Sequence, residues 1–298
     1  MYRYSESIRE GAMADYTIYT DSSCDLGSKI LNDWGVKYEC LTFKFDDSDK
    51  EYTSDEMSCE EFYDRMRKGG IAKTSAVNMQ TFYDSFKKEL DEGKDVLYIG
   101  MSTGLSNTAN AASIAADELK GEYPDRKIIT IDTLTTTAAQ AMLIDHVCGM
   151  KKEGKSIEEA ADYVYSNMQK ACVWFIVDDL IYLKRGGRIS ATAAFAGGVL
   201  QLKPVMRVTN EGKIENMQKV RGRSQSIKAL EKVFAQNAID KSTYFICHGS
   251  CLEDAKALED LIYQAHGYKA KYITEMSPVI GAPAGPGVVV LSFMANER

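Results

Sequence analysis

The chain has 298 residues, 45% apolar and 27% charged, with 22 Gly and only 5 Pro, a balance that excludes collagen-like, disulfide-stapled and disordered classes. At roughly 100–200 residues per domain, the length predicts two domains. Lys and Arg number 36 against 43 Asp and Glu, a formal charge of −7, which argues against a general nucleic-acid binder.

Residues 1–14 mix Arg3, Glu6, Arg9 and Glu10 with no apolar core, so they read as an arm and not as a secretory signal. The first strand is expected at 16–20, followed by the turn Thr20-Asp21-Ser22-Ser23. Helices are then expected at 28–34, 59–67, 78–91, 106–120, 135–152 and 156–169, with further buried strands at 95–101 and 127–131. This β-α alternation predicts an α/β domain over 15–165, a mostly parallel sheet flanked by helices. After 166 the character changes. The runs 204–209 and 213–219 flank Asn210-Glu211-Gly212, a hairpin loop with Gly where a positive φ is wanted. Helices at 224–236 and 252–265 and strands at 243–247, 269–274 and 288–293 complete an α+β domain over 166–298, with a ligand between the two domains.

No apolar run approaches the roughly 20 residues of a membrane-crossing helix, the longest being 171–177 and 288–294, so no integral membrane association is expected. Cys24, Cys40, Cys59, Cys148, Cys172, Cys247 and Cys251 are scattered and odd in number, which predicts free thiols and a cytoplasmic protein. Residues 184–228 hold ten Lys and Arg against Glu211 and Glu215. That basic stretch is a solvated face or a docking surface for an acidic partner, with Arg221 and Arg223 as positions that would test it.

In an open α/β sheet, ligands gather beyond the carboxyl ends of the strands. The turn after the first strand and Ser102-Thr103-Gly104-Leu105-Ser106-Asn107-Thr108 lie there, and Thr74-Ser75-Ala76-Val77-Asn78 precedes a helix capped by Asn78 or Ser75. Each alone reads as a helix cap; three together point to a pocket that holds a carboxylate or phosphate by hydroxyls and helix N-termini. Catalytic signatures such as G-x-x-x-x-G-K-[ST] or G-x-S-x-G are absent from the sequence. The competing reading is an enzyme acting on a small phosphorylated or carboxylated metabolite, with Ser106 or Asp21 as nucleophile. Cys247-His248-Gly249-Ser250-Cys251 is a weak metal-like cluster in which Ser250 reads as a helix N-cap, and no metal is expected. Leu183-Lys184-Arg185-Gly186-Gly187-Arg188-Ile189 reads as a tight basic turn, and the Gly/Pro-dense 277–287 as a rigid loop lining a pocket.

Taken in order, the Thr20-Asp21-Ser22 turn, Thr74-Ser75, the Ser102 to Ser106 turn, the 180–189 segment and Pro278-Val279-Ile280-Gly281-Ala282 with Gly285-Pro286-Gly287 resemble the DegV family of fatty-acid-binding proteins, which includes the B subunits of bacterial fatty acid kinase. The resemblance implies a non-catalytic protein without a cofactor. It would hold a long-chain fatty acid in an apolar tunnel and present the carboxylate to a fatty acid kinase catalytic subunit. It also implies Thr74, Ser75, Thr103, Ser106, Arg188, Gly281 and Ala282 as ligand-binding residues, with Asp21 and Ser22 ordering the turns. The stretch 191–202, with Phe195, Val199 and Leu200, is a candidate tunnel wall. The family usually places His and Thr after Gly-Ala in the last motif; this chain has Pro283 and Ala284.

Overall fold

A computed structural model of the chain describes residues 15–190 and 202–298; the arm at 1–14 and all but the last residue of the proposed wall at 191–202 lie outside the described residues. The first half carries β1 (Tyr16–Asp21), α1 (Gly27–Trp34), β2 (Lys37–Glu39), β3 (Thr42–Phe45), α2 (Cys59–Arg67), β4 (Ala72–Ser75), α3 (Met79–Asp91), β5 (Asp95–Gly100), α4 (Thr108–Glu122), β6 (Ile128–Asp132), α5 (Thr137–Lys152) and α6 (Ile157–Asn167). Strands β2-β1-β5-β6 form an all-parallel sheet, while β3 and β4 pair separately and antiparallel. The boundary expected near residue 165 falls in the last turn of α6.

The second half carries β7 (Ala171–Ile176), α7 (Ile181–Arg185), β8 (Leu202–Val208), β9 (Ile214–Arg221), α8 (Arg223–Asn237), β10 (Tyr244–His248), α9 (Leu252–His266), β11 (Tyr272–Glu275), α10 (Pro278–Ala284) and β12 (Val289–Met294). Its sheet runs β11-β10-β12-β7-β8-β9, with only the β10/β11 pair parallel.

Alternation along the strands distributes side chains over three cores. Tyr16 and Ile18 of β1, with Leu97 and Ile99 of β5, face α5, while Tyr19, Val96 and Tyr98 face Phe82 and Phe86 of α3 and the alanines of α4. In the second sheet Val173 and Phe175 face inward to α5, and Cys172 and Ile176 outward to α8 and α9. Helix α5 is buried nearly all round from Thr137 to Cys148, as expected of a helix without a polar face. It packs against β5 of the first sheet and β7, β10 and β12 of the second, so both sheets share one core through it.

Two segments expected to lack regular structure are helical. The 277–287 segment forms α10, with Pro278 at its first position and Pro283 near its end; a proline at the start loses no helical donor. Residues 181–185 coil into α7 ahead of the Gly186-Gly187 turn. Ser250 is not the cap of α9: Cys251 occupies that position, its N–H donating to His248 Nδ1 at 3.3 Å. Ser250 itself has a φ of 53° and receives Arg67 Nη1 on its hydroxyl at 3.1 Å.

Candidate functional site

The parallel sheet is doubly wound, and its order reverses between β1 and β5, the switch point beyond which open α/β sheets place a ligand crevice. The turn after β1 is held by Asp21, whose fully buried carboxylate accepts Ser23 N at 3.0 Å, Tyr98 Oη at 2.6 Å and Met101 N at 3.2 Å. Ser22 Oγ accepts Leu41 N at 3.0 Å. These residues order the crevice and are saturated by it, so the Asp21 carboxylate is unavailable as a nucleophile.

A cavity of about 150 Å³ opens from this crevice into the space between the two sheets. Leu41, Met101 and Leu105 line it from the first half; Val173, Phe175, Val208, Ile214, Val288 and Val290 from the inner face of the second sheet; and Met276, Val279, Ile280, Pro283 and Ala284 from α10 and the residues before it. At roughly 10–15 Å³ per water in this measure, there is room for a slender occupant on the order of ten waters in size. Among the described lining residues Arg188 is the sole ionisable group, and the remaining polar ones are Thr74, Ser106, Asn107, Thr136 and Thr137.

Three of the residues expected from the sequence therefore meet at the cavity, by different routes. Thr74 arrives from β4, across from Phe43 of β3, and so comes from the separate hairpin, not from the parallel sheet. Ser106 sits just before α4, its hydroxyl 2.9 Å from Thr108 Oγ1. Arg188 reaches over from the turn after α7, donating from Nε and Nη2 to the Leu105 carbonyl at 3.1 and 2.9 Å and from Nη1 to the Gly186 carbonyl. A guanidinium so engaged fixes the Leu105-Ser106 turn to the other half of the molecule.

The other four lie off the lining. Ser75 follows Thr74 in a strand and points to the opposite, exposed face. Thr103 is exposed, and its N–H donates to Asp132 Oδ2 at 3.2 Å. Gly281 lets α10 settle on Tyr63, where an added Cβ would lie 2.3 Å from the phenol oxygen. Ala282 borders a second space, an outer groove of about 480 Å³ that shares Thr74, Arg188 and Pro283 with the inner cavity. The groove also takes in Lys73 and Arg185, with no carboxylate among its described lining residues. Pro283 stands on the shared wall and Ala284 on the inner cavity alone, and they supply neither an imidazole nor a hydroxyl.

Thr136 and Thr137 were concealed in the sequence by their position at the head of an expected helix. Thr136 is the extended N-cap of α5, makes no cap hydrogen bond, and holds a buried hydroxyl without a partner. The Thr-Thr-Thr run ahead of an alanine-rich helix is the one signal that marks it. Beneath this helix start lies Asp25, which accepts Ser277 N at 2.9 Å and Ser277 Oγ at 2.5 Å. Burial nevertheless pushes its carboxyl pKa up to about 6.

The metal-like cluster divides. Cys247 Sγ packs 3.7 Å from Asp25 Oδ2, whereas Cys251 Sγ faces the Val288 carbonyl at 3.3 Å. Burial lowers the His248 pKa, consistent with a neutral ring accepting the Cys251 N–H. Among the described residues no group of three or more His, Cys, Asp or Glu is arranged to hold a metal ion. Within the basic stretch, Arg223 is spoken for: Nε and Nη2 grip Asp254 at 3.0 and 2.8 Å, and Nη1 lies 3.5 Å from Asp178.

The DegV family model, described as one of uncharacterised proteins, matches residues 15–296. A DegV domain-containing protein of Clostridium perfringens is 35% identical over 289 residues, covering 96% of this chain and 99% of that one. In structure the chain is similar to a fatty acid (stearic acid)-binding protein of Eubacterium ventriosum, with a TM-score of 0.85 and 27% identity over 94% of this chain and 98% of that one. It is also similar to a DegV family protein of Thermus thermophilus described for its fatty acid binding, with a TM-score of 0.84 and 25% identity over 94% of this chain and 99% of that one. Among the described residues no helix is long and apolar enough to cross a membrane.

Proposed function

The chain belongs to the DegV family, and from that premise we propose that it holds one long-chain fatty acid, the acyl chain in the inner cavity and the carboxylate where that cavity meets the outer groove. One observation carries the reading: the described cavity wall is apolar except for hydroxyls, one amide and the Arg188 guanidinium. Burying about 14 methylenes at roughly 0.8 kcal/mol each gives about 11 kcal/mol of gross favourable transfer, so the tail sets affinity. The head group sets orientation, because a carboxylate buried without hydrogen bonds loses several kcal/mol.

Thr74 and Ser106 are the hydroxyls assigned to the carboxylate, and Arg188 positions the turn that presents Ser106. Ser75, Thr103, Gly281 and Ala282 support these residues and do not touch the ligand. The groove, with Lys73 and Arg185, offers the exposed head group to a fatty acid kinase catalytic subunit, while the tail stays covered. This places the docking face on the groove and away from Arg223. The enzymatic reading has less support: Ser106 is at the cavity, but the described lining contains no imidazole or carboxylate to activate it.

Mass spectrometry of the lipid extracted from the purified protein tests the proposal; a C14 to C18 acid is expected, and a polar metabolite in its place refutes it. Each hydroxyl-to-carboxylate bond is worth roughly 1.5–3 kcal/mol, so the Thr74→Ala, Ser106→Ala pair is expected to weaken binding a hundredfold or more. Undiminished affinity would overturn the residue assignment.

A further inference from the structure

A plain hydrocarbon tail leaves one part of the cavity unexplained. The wall formed by Val173 and Phe175 of the second sheet is completed by the start of α5, and there the lining turns polar. Thr136 is 6% exposed, its Oγ1 has no hydrogen-bond partner, and it borders the cavity. Its backbone is extended and no side chain caps the helix it begins, so the amide donors of the first turn lack the side-chain acceptor that a helix N-terminus ordinarily recruits. A buried hydroxyl is normally hydrogen-bonded, and a saturated chain sliding past it offers nothing.

We infer that this is a second polar berth, which takes a hydroxyl or keto oxygen carried partway along the acyl chain, so that the preferred ligands are oxygenated long-chain fatty acids. The inference rests on the fatty-acid reading above and adds the chemical class of the tail. Asp25 lies behind the same helix start and is occupied by Ser277. A second carboxylate would be repelled there, whereas a neutral oxygen can both accept from the helix amides and exchange a hydrogen bond with Thr136.

The probes are stearic acid and its 9-, 10- and 12-hydroxy and 10-oxo derivatives, titrated into delipidated protein. Thr136→Val keeps shape and suits the extended backbone; Thr136→Ser keeps the hydroxyl. At least one oxygenated probe should bind the wild type as tightly as stearate or more so. That probe should lose about tenfold relative to stearate in Thr136→Val, the equivalent of about 1.4 kcal/mol, and regain its standing against stearate in Thr136→Ser. If stearate binds normally but every oxygenated probe binds at least tenfold more weakly, or none distinguishes the wild type from Thr136→Val, the berth is refuted and the fatty-acid reading stands. If neither stearate nor any derivative binds, both fall together.

Discussion

Replacing Gly212 by Ala is expected to loosen the seam between the two halves of the molecule, and its cost can be built from the structure. Gly212 closes the β8/β9 hairpin with a φ of +70°, and its carbonyl accepts Ser102 Oγ at 2.8 Å. An added Cβ would lie 1.9 Å from that hydroxyl oxygen, 2.9 Å from Ser102 Cβ and 3.1 Å from Leu134 Cα. Holding a non-glycine residue in the left-handed region costs roughly 1–2 kcal/mol, and displacing the tip forfeits the Ser102 bond, about 0.5–1.5 kcal/mol more. A total of about 1.5–3.5 kcal/mol follows. Gly267, with a φ of +82° and nothing within 4 Å of an added Cβ, provides the control: Gly267→Ala should lose only the conformational part. Equilibrium urea unfolding measures both. Because Val208 and Ile214 of the same hairpin line the cavity, stearate affinity should fall several-fold in Gly212→Ala and stay unchanged in Gly267→Ala. Equal destabilisation of the two variants, or unaltered lipid binding in the first, would refute the docking of the hairpin as a determinant of the cavity.

Two further outcomes follow from buried charge. Asp25 titrates near 6 when folded and near 3.8 unfolded, so the native state binds more protons in between. Stability should therefore decline as pH rises from about 4 to 6, by on the order of 2–3 kcal/mol; Asp25→Asn should flatten that slope in urea unfolding across pH, and an unaltered slope would contradict it. Arg188→Lys keeps the charge but not the fork that grips the Leu105 carbonyl; fatty acid affinity should drop roughly tenfold or more for one lost charge-assisted bond, measured by calorimetric titration, with wild-type affinity as the contrary result.

Local chemistry explains which elements a reader of the sequence can place. Helix α2 falls where expected because Ser58 accepts Glu61 N and acidic residues fill the first turn; α3 starts where Asn78 accepts Thr81 N at 2.9 Å. The hairpin at Gly212 follows from its turn. By contrast β2, β3 and β4 escape notice: Lys37–Glu39 has three residues and no apolar alternation, and Ala72–Ser75 owes its strand form to pairing with β3, a long-range effect that no window of sequence contains. Helix α10 is hidden by its composition, since Gly281, Pro283 and Gly285 read as loop residues until the packing of Gly281 on Tyr63 is seen. At the site, Thr74, Ser106 and Arg188 can be picked out as residue types, whereas the role of Arg188 as a clamp and the presence of Thr136 on the wall depend on which elements the fold brings face to face.

Between Thr137 and Cys148 helix α5 meets water only at His146 and, in part, at Asp145, and this bears on how the protein can be dissected. A fragment ending before β7 would leave that helix with half its surroundings gone, and a fragment beginning at β7 would expose the greasy inner face of a bare sheet. Neither piece should persist by itself as a soluble species; mixed together they should find each other, with the ligand channel reappearing only on reunion.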